Sequence, residues 1–190
     1  MLSKLDQTST SLGADLRALR RARGLTLQVL AARLGRSVGW ISQVERDLSR
    51  PSINDLKAFA REFGVPLSLF FGQSQAPEIE AGYVVRKGAR RRIGSGEDGL
   101  VEEMLSPDLT DAFEMVHSVF QPGASLAAPV IRPTQEVGYV VSGRLDISIG
   151  GRSFTIDAGD SFRIRGEAYQ WANQYAEPAV VIWVIAPPVY

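Results

Sequence analysis

The spacing of apolar residues changes once along the chain, and no other feature limits its possible folds as strongly. Between Leu12 and Phe71 the spacing is helical. Leu12, Leu16 and Leu19 recur at i, i+4 and i+7, and Ile53, Leu56, Phe59, Ala60 and Phe63 form a second such face. Gly24, Gly35 and Gly64 stand where helices should stop. Thr26, Ser37 and Ser52 stand where they should begin, with Asp55 three residues after Ser52 as a capping pair. This punctuation predicts five short helices at about 12–22, 27–34, 38–46, 53–63 and 67–71. The stretch at 72–82, "GQSQAPEIEAG", has no period and reads as a linker.

Beyond it the period is two. Leu145, Ile147 and Ile149 alternate with Arg144, Asp146 and Ser148, Gly150-Gly151 makes a hairpin turn, and Phe154 and Ile156 resume the alternation. "AVVIWVIAP" is apolar on both faces, as a strand buried between layers would be. The fold expected is therefore α+β and multidomain: a helical bundle at 1–71, then a compact antiparallel sandwich or barrel at 83–190.

Composition narrows the setting. The longest apolar run, "AVVIWVIAPPV", spans 11 residues and holds two prolines, and "MLSKLDQTST" lacks an apolar leader core. The sequence contains no cysteine, which rules out disulfides and thiolate metal sites. A soluble, cytoplasmic protein without membrane contact is expected. Residues 1–77 hold 11 Lys/Arg against 6 Asp/Glu and residues 78–190 hold 10 against 15, so the halves carry +5 and −5. A basic front joined to an acidic back points to a polyanion partner for the front alone.

Ala31, Gly35, Ile41 and Val44 are spaced as a helix-turn-helix requires: a small residue where two helices cross, a glycine for the left-handed turn, two branched residues to anchor the second helix. With these residues, "RARGLTLQVLAARLGRSVGWISQVERDLSRPSINDLKAFAREFGVPLSLFF" resembles the five-helix DNA-binding domain of the phage-repressor (XRE) family. If Ile41 and Val44 point inward, Val38, Gly39, Ser42 and Gln43 turn outward toward the major groove. Gln43 can pair bidentately with adenine, Ser42 can bond either way, and Val38 can meet a thymine methyl. The resemblance implies that Val38, Gly39 and Gln43 are base readers. Ser37 opens the reading helix, and Arg36, Trp40, Arg46 and Arg50 flank it and suit phosphates. The competing reading is an interaction bundle with a merely solvated polar face.

"PGASLAAPVIRPTQEVGYVVSGRLDISIGGRSFTIDAGDSF" with "YQWAN" resembles a cupin jelly-roll barrel. The tandem order is similar to regulators that join such a DNA-binding domain to a cupin sensor, among them repressors of polyamine and amino-acid catabolism. The positions that hold metal ligands in metal-binding cupins match Val130, Arg132, Glu136 and Tyr169, followed by Asn173. Only the carboxylate is kept, and the chain has one histidine, His117. Two imidazoles are needed for a non-haem iron site, so no metal and no cofactor are expected, and no catalytic residue is assigned. Strand parity instead aims Tyr169 and Trp171 inward with Gln170 outward. Arg132 is then placed to grip a carboxylate and Glu136 an ammonium, with the two aromatics as walls, so a small amine or amino acid is the effector expected. Three alternatives stay open: Arg132 and Glu136 pair with each other and plug the site, the chain is a cupin-scaffold enzyme with a helix-turn-helix-like domain, or it is a ligand-free, antitoxin-like DNA-binding partner.

Among weaker signals, His117 in "FEMVHSVF" reads as a packed or rim histidine. "RKGARRR", Arg86 to Arg92, reads as a solvated strand edge, and "GSGED", Gly94 to Asp98, as a turn. One helix-turn-helix makes few contacts, so a homodimer on a palindromic double-stranded operator is expected, joined through the cupin. An effector would act by its differential affinity for DNA-competent and incompetent states, with release of a repressor as the default outcome.

Overall fold

Each α-helix in the structure, a computed structural model, begins at a hydroxyl side chain that accepts from a first-turn amide. The structure describes residues 11–71, 79–80, 82–93, 96, 99–107, 109 and 111–189. Residues 72–78 and 81 of the expected linker, and all but Gly96 of the turn expected at Gly94 to Asp98, lie outside them. The described chain forms two compact units, one built mainly from residues before Arg90 and one from Arg90–Ser106 and Asp111–Val189.

The first unit holds α1 (Leu12–Ala22), α2 (Leu27–Leu34), α3 (Val38–Val44) and α4 (Ile53–Phe63). Their inward faces bury Leu16, Leu19, Leu30, Ile41, Phe59 and Phe63. The fifth helix expected at 67–71 is instead a single 3-10 turn, Leu67–Phe70. Gly64 leaves α4 in the left-handed region and Pro66 enters in an extended conformation, so four residues remain, enough only for i→i+3 bonds. The reading helix also ends at Val44, two residues early, where Arg46 and Asp47 donate to carbonyls three residues back. Ile53, expected on the buried face of α4, is exposed at its first position.

Among the described residues the second unit contains nine strands: β1 (Arg92–Ile93), β2 (Leu100–Met104), β3 (Glu114–Phe120), β4 (Gln135–Ser142), β5 (Arg144–Ile149), β6 (Arg152–Asp157), β7 (Ser161–Arg165), β8 (Tyr169–Ala172) and β9 (Ala179–Ala186). A six-stranded sheet runs β1-β2-β3-β9-β4-β7 and a three-stranded sheet β6-β5-β8, with neighbouring strands antiparallel throughout. Their inner faces meet where the Phe120 ring packs edge-on against Trp171, with centroids 4.6 Å apart. Of the sandwich or barrel expected from the sequence, the two-sheet sandwich is what the strands form: among the described residues no ladder joins edge strand β6 to edge strand β7.

Alternation sets both faces of the large sheet. β3 buries Glu114, Val116, Ser118 and Phe120, and β9 buries Ala179, Val181, Trp183 and Ile185. The other face leaves Val137, Tyr139, Val141 and Val184 exposed, and His117 sits on it, half-buried, across from Ile182. Gly150 and Gly151, both at positive φ, make the β5–β6 turn. Phe154, expected to point inward, is 47% exposed because its strand is an edge. The run Arg86 to Arg92 is not a uniformly solvated strand edge. Lys87–Ala89 is a 3-10 turn, Arg86 pairs with Glu80, Arg90 pairs with Glu103, and Arg91 is buried. Among the described residues no helix is long and apolar enough to cross a membrane.

Candidate nucleic-acid interface and sheet interior

The helix-turn-helix is built from four positions. Ala31 is 2% exposed where α2 meets its neighbour, Gly35 turns the chain at φ 62°, and Ile41 and Val44 are fully inside. Ser37 caps α3 by accepting from the Trp40 N–H at 3.1 Å, so its hydroxyl is committed to starting the helix. That arrangement leaves Val38, Gly39 and Gln43 exposed on one side, with Ser42 half-buried beside them. A Cβ added at Gly39 meets no protein atom within 4 Å.

The flanking cations differ in freedom. Arg36 donates to Asp55 through Nε at 3.0 Å and Nη2 at 2.5 Å, and its guanidinium lies 4.9 Å from the Trp40 ring centroid. Trp40 in turn stacks on Phe59, so its indole is part of the bundle's aromatic core as well as its surface. Arg46 bonds back to the Ser42 carbonyl at 3.1 Å, holding its guanidinium stem along α3, and Arg50 is exposed. Asp55 also accepts from the Ser52 N–H and hydroxyl. Burial raises its pKa, but the bonds from Ser52 and from Arg36 outweigh burial and hold the carboxyl below its ordinary range. Sequence reasoning found Asp55 as a helix cap and missed its second role as the partner of Arg36, since no local pattern reports a contact 19 residues away.

In the sheet interior, Glu136 is 2% exposed on the inward face of β4 and accepts from the Thr134 hydroxyl at 2.6 Å. Tyr169 and Trp171 are buried on β8, and Gln170 between them donates to the Leu126 carbonyl at 2.7 Å. The Tyr169 pKa is pushed up to about 12, first by burial, against which the Arg132 cation works while the Glu136 and Glu102 carboxylates add to the rise. Arg132, Glu136 and Tyr169 thus share one electrostatic neighbourhood. Trp171 is set apart from them by its packing on Phe120, and it lines an open hollow of about 610 Å³ with Ser125 and Gln170. Thr134 and Glu102 were not singled out from the sequence. Glu102 accepts from Ser118, which is fully buried, and the only hint of it was alternation in "LVEEM". Among the described residues no group of three or more His, Asp or Glu side chains is placed to hold a metal ion.

Comparison with known proteins agrees with both units. Residues 11–70 match the family described as a helix-turn-helix domain, and residues 116–185 match the cupin domain family. The chain is 26% identical over 182 residues to the HTH-type transcriptional regulator PuuR of Escherichia coli (strain K12), covering 94% of this chain and 96% of that protein. It is 26% identical over 167 residues to the HTH-type transcriptional regulator SutR of the same organism, covering 86% of each. A solved HTH_3 family transcriptional regulator from Vibrio cholerae is similar at 20% identity and a TM-score of 0.45, over 95% of this chain and 97% of that one. The chain thus joins a helix-turn-helix domain at 11–70 to a C-terminal cupin domain at 116–185, and over 94% of its length it is similar to an HTH-type transcriptional regulator.

Proposed function

We propose that this chain is a cytoplasmic transcriptional repressor that binds a palindromic operator as a homodimer and leaves it when a small amine or amino acid occupies the cupin interior. The observation that carries the DNA-reading part is the outward side of α3. Val38, Gly39 and Gln43 are open to solvent while Ile41 and Val44 hold the helix from behind. Gln43 reads adenine and Val38 a thymine methyl, whereas Arg46 and Arg50 meet phosphates and set the register. The effector part is supported by buried Glu136 and half-buried Arg132, which carry opposite charges and both act on the buried Tyr169 hydroxyl. Exposed Val137, Tyr139, Val141 and Val184 offer an apolar face for the second copy.

Selection from a random duplex pool, followed by anisotropy titration against salt, tests the reading. Gln43→Ala is expected to lose about 1–3 kcal/mol of discrimination at one base pair per half-site. Arg46→Ala should weaken all duplexes alike and reduce the slope of log K against log salt by about 1 per half-site. A chain that enriches no sequence from the pool is not an operator-reading protein. For the effector, small molecules released on denaturing the purified chain are identified by mass spectrometry. One that lowers operator affinity of the native chain but not of Arg132→Ala supports the interior site, and equal effects on both place sensing elsewhere.

A further inference from the structure

The seam between β6 and β7 is an open, amphipathic groove. A cavity of about 690 Å³ lies along it, within the range of small-molecule sites. Its lining is mixed, with an apolar strip among polar and charged side chains: Ile147 and Ile156 are buried, Phe154 is 47% exposed, and the Phe162 ring is backed edge-on by Trp183 with centroids 5.1 Å apart. Such a surface is what an apolar molecule removes from water, and on a sandwich edge no neighbouring strand covers it.

Charge along the groove is unequal. β6 runs away from Arg152 toward Asp157, and the chain then returns through Asp160 into β7, so Arg152 and Asp160 mark opposite ends. Five residues of strand separate them, about 16 Å at roughly 3.3 Å per residue. At the Asp160 end the carboxylate accepts from the Asp157 N–H at 2.9 Å. At the Arg152 end Glu167 accepts from the Arg165 N–H. That bond first, with the Arg163 and Arg165 cations adding to it, holds its carboxyl below the ordinary range. Glu167 is thus acted on by Arg163 and Arg165, and Arg152 lines the groove at the same end, so that end carries surplus positive charge. Among the described residues no ion pair or side-chain hydrogen bond engages the Arg152 guanidinium.

We propose that the open β6–β7 seam is a binding site for an elongated carboxylate with an apolar body, its carboxylate held by Arg152 and its body laid on Phe154 and Phe162. A guanidinium fork matches a carboxylate bidentately, which fixes one end and the direction of the molecule. None of Arg132, Glu136 and Tyr169 lines this groove, and the proposal does not rest on the effector reading.

Isothermal titration of the full chain with decanoate tests the site, with acetate as the charge without the body and 1-decanol as the body without the charge. One decanoate per chain is expected, with acetate and 1-decanol each at least tenfold weaker. Arg152→Ala and, independently, Phe154→Ala should each weaken decanoate at least fivefold without lowering the melting temperature, since both side chains are at an exposed edge. Arg132→Ala should leave decanoate affinity within twofold. The assignment is overturned if decanoate gives no saturable heat, if 1-decanol binds as tightly as decanoate, if both edge variants stay within fivefold of native, or if Arg132→Ala abolishes binding.

Discussion

Asp47 has φ of 58°, rare for a residue with a side chain, and its carboxylate explains why the conformation is kept. Oδ1 accepts from the Gly13 N–H at 2.9 Å and Oδ2 from the Ser11 hydroxyl, so a residue three positions beyond the end of α3 finishes the cap of α1. The approach is close enough that a Cβ at Gly13 would lie 2.4 Å from the Val44 carbonyl oxygen. Gly13→Ala is therefore expected to cost about 1–3 kcal/mol through overpacking, in spite of alanine's better helix propensity, measured by urea denaturation. A second fixed point is the bidentate pair of Arg20 and Glu45, at 2.6 and 2.9 Å, with side chains 11% and 5% exposed. Arg20→Ala leaves the Glu45 carboxylate buried alone and should lower stability by about 3–5 kcal/mol in the same experiment. Neither contact was legible in the sequence, because each joins residues 25 or more apart and leaves no periodic trace.

At the scale of elements, α4 is fastened to the entrance of α3 by Asp55, which serves the capping box of one helix and the Arg36 guanidinium before the other. Its folded pKa lies below the unfolded value of about 3.9, so its contribution is complete above that value and is lost as pH falls through the folded one. Urea midpoints followed from pH 6 to pH 3 should drop below about pH 4 in the native chain. Asp55→Asn should start lower and fall less steeply over that window. What the sequence did show at this scale were the helix caps and glycine stops, whose causes are local. Caps at Thr26, Ser37 and Ser52 and stops at Gly35 and Gly64 act within one turn, so α1, α2 and α4 begin and end where their punctuation puts them. The turn at 67–70 and the early end of α3 depended on Pro66 and on the Asp47 conformation, which work against an otherwise helical apolar pattern.

For the whole molecule, the change of apolar period separated a helical unit from a sheet unit, and both are present. Which seam of the sheets stays open was not readable, since alternation assigns faces but not edge neighbours. The interior group was only partly legible: Glu136 followed from the cupin resemblance and Tyr169 from that resemblance with strand parity, while Thr134 and Glu102 came into view only with the strand register. The exposed apolar face of the large sheet belongs to this scale too. Tyr139→Glu, at a residue 50% exposed, should shift the chain from dimer toward monomer in sedimentation velocity and weaken operator binding, while the melting of each unit is preserved. Finally, the empty space around Gly39 separates two demands that usually compete. A methyl group there touches nothing in the protein and would raise helix propensity by up to about 1 kcal/mol, so the fold places no constraint on that site. On the proposed reading of the operator, Gly39→Ala should alter base preference while leaving the melting temperature no lower than that of the native chain.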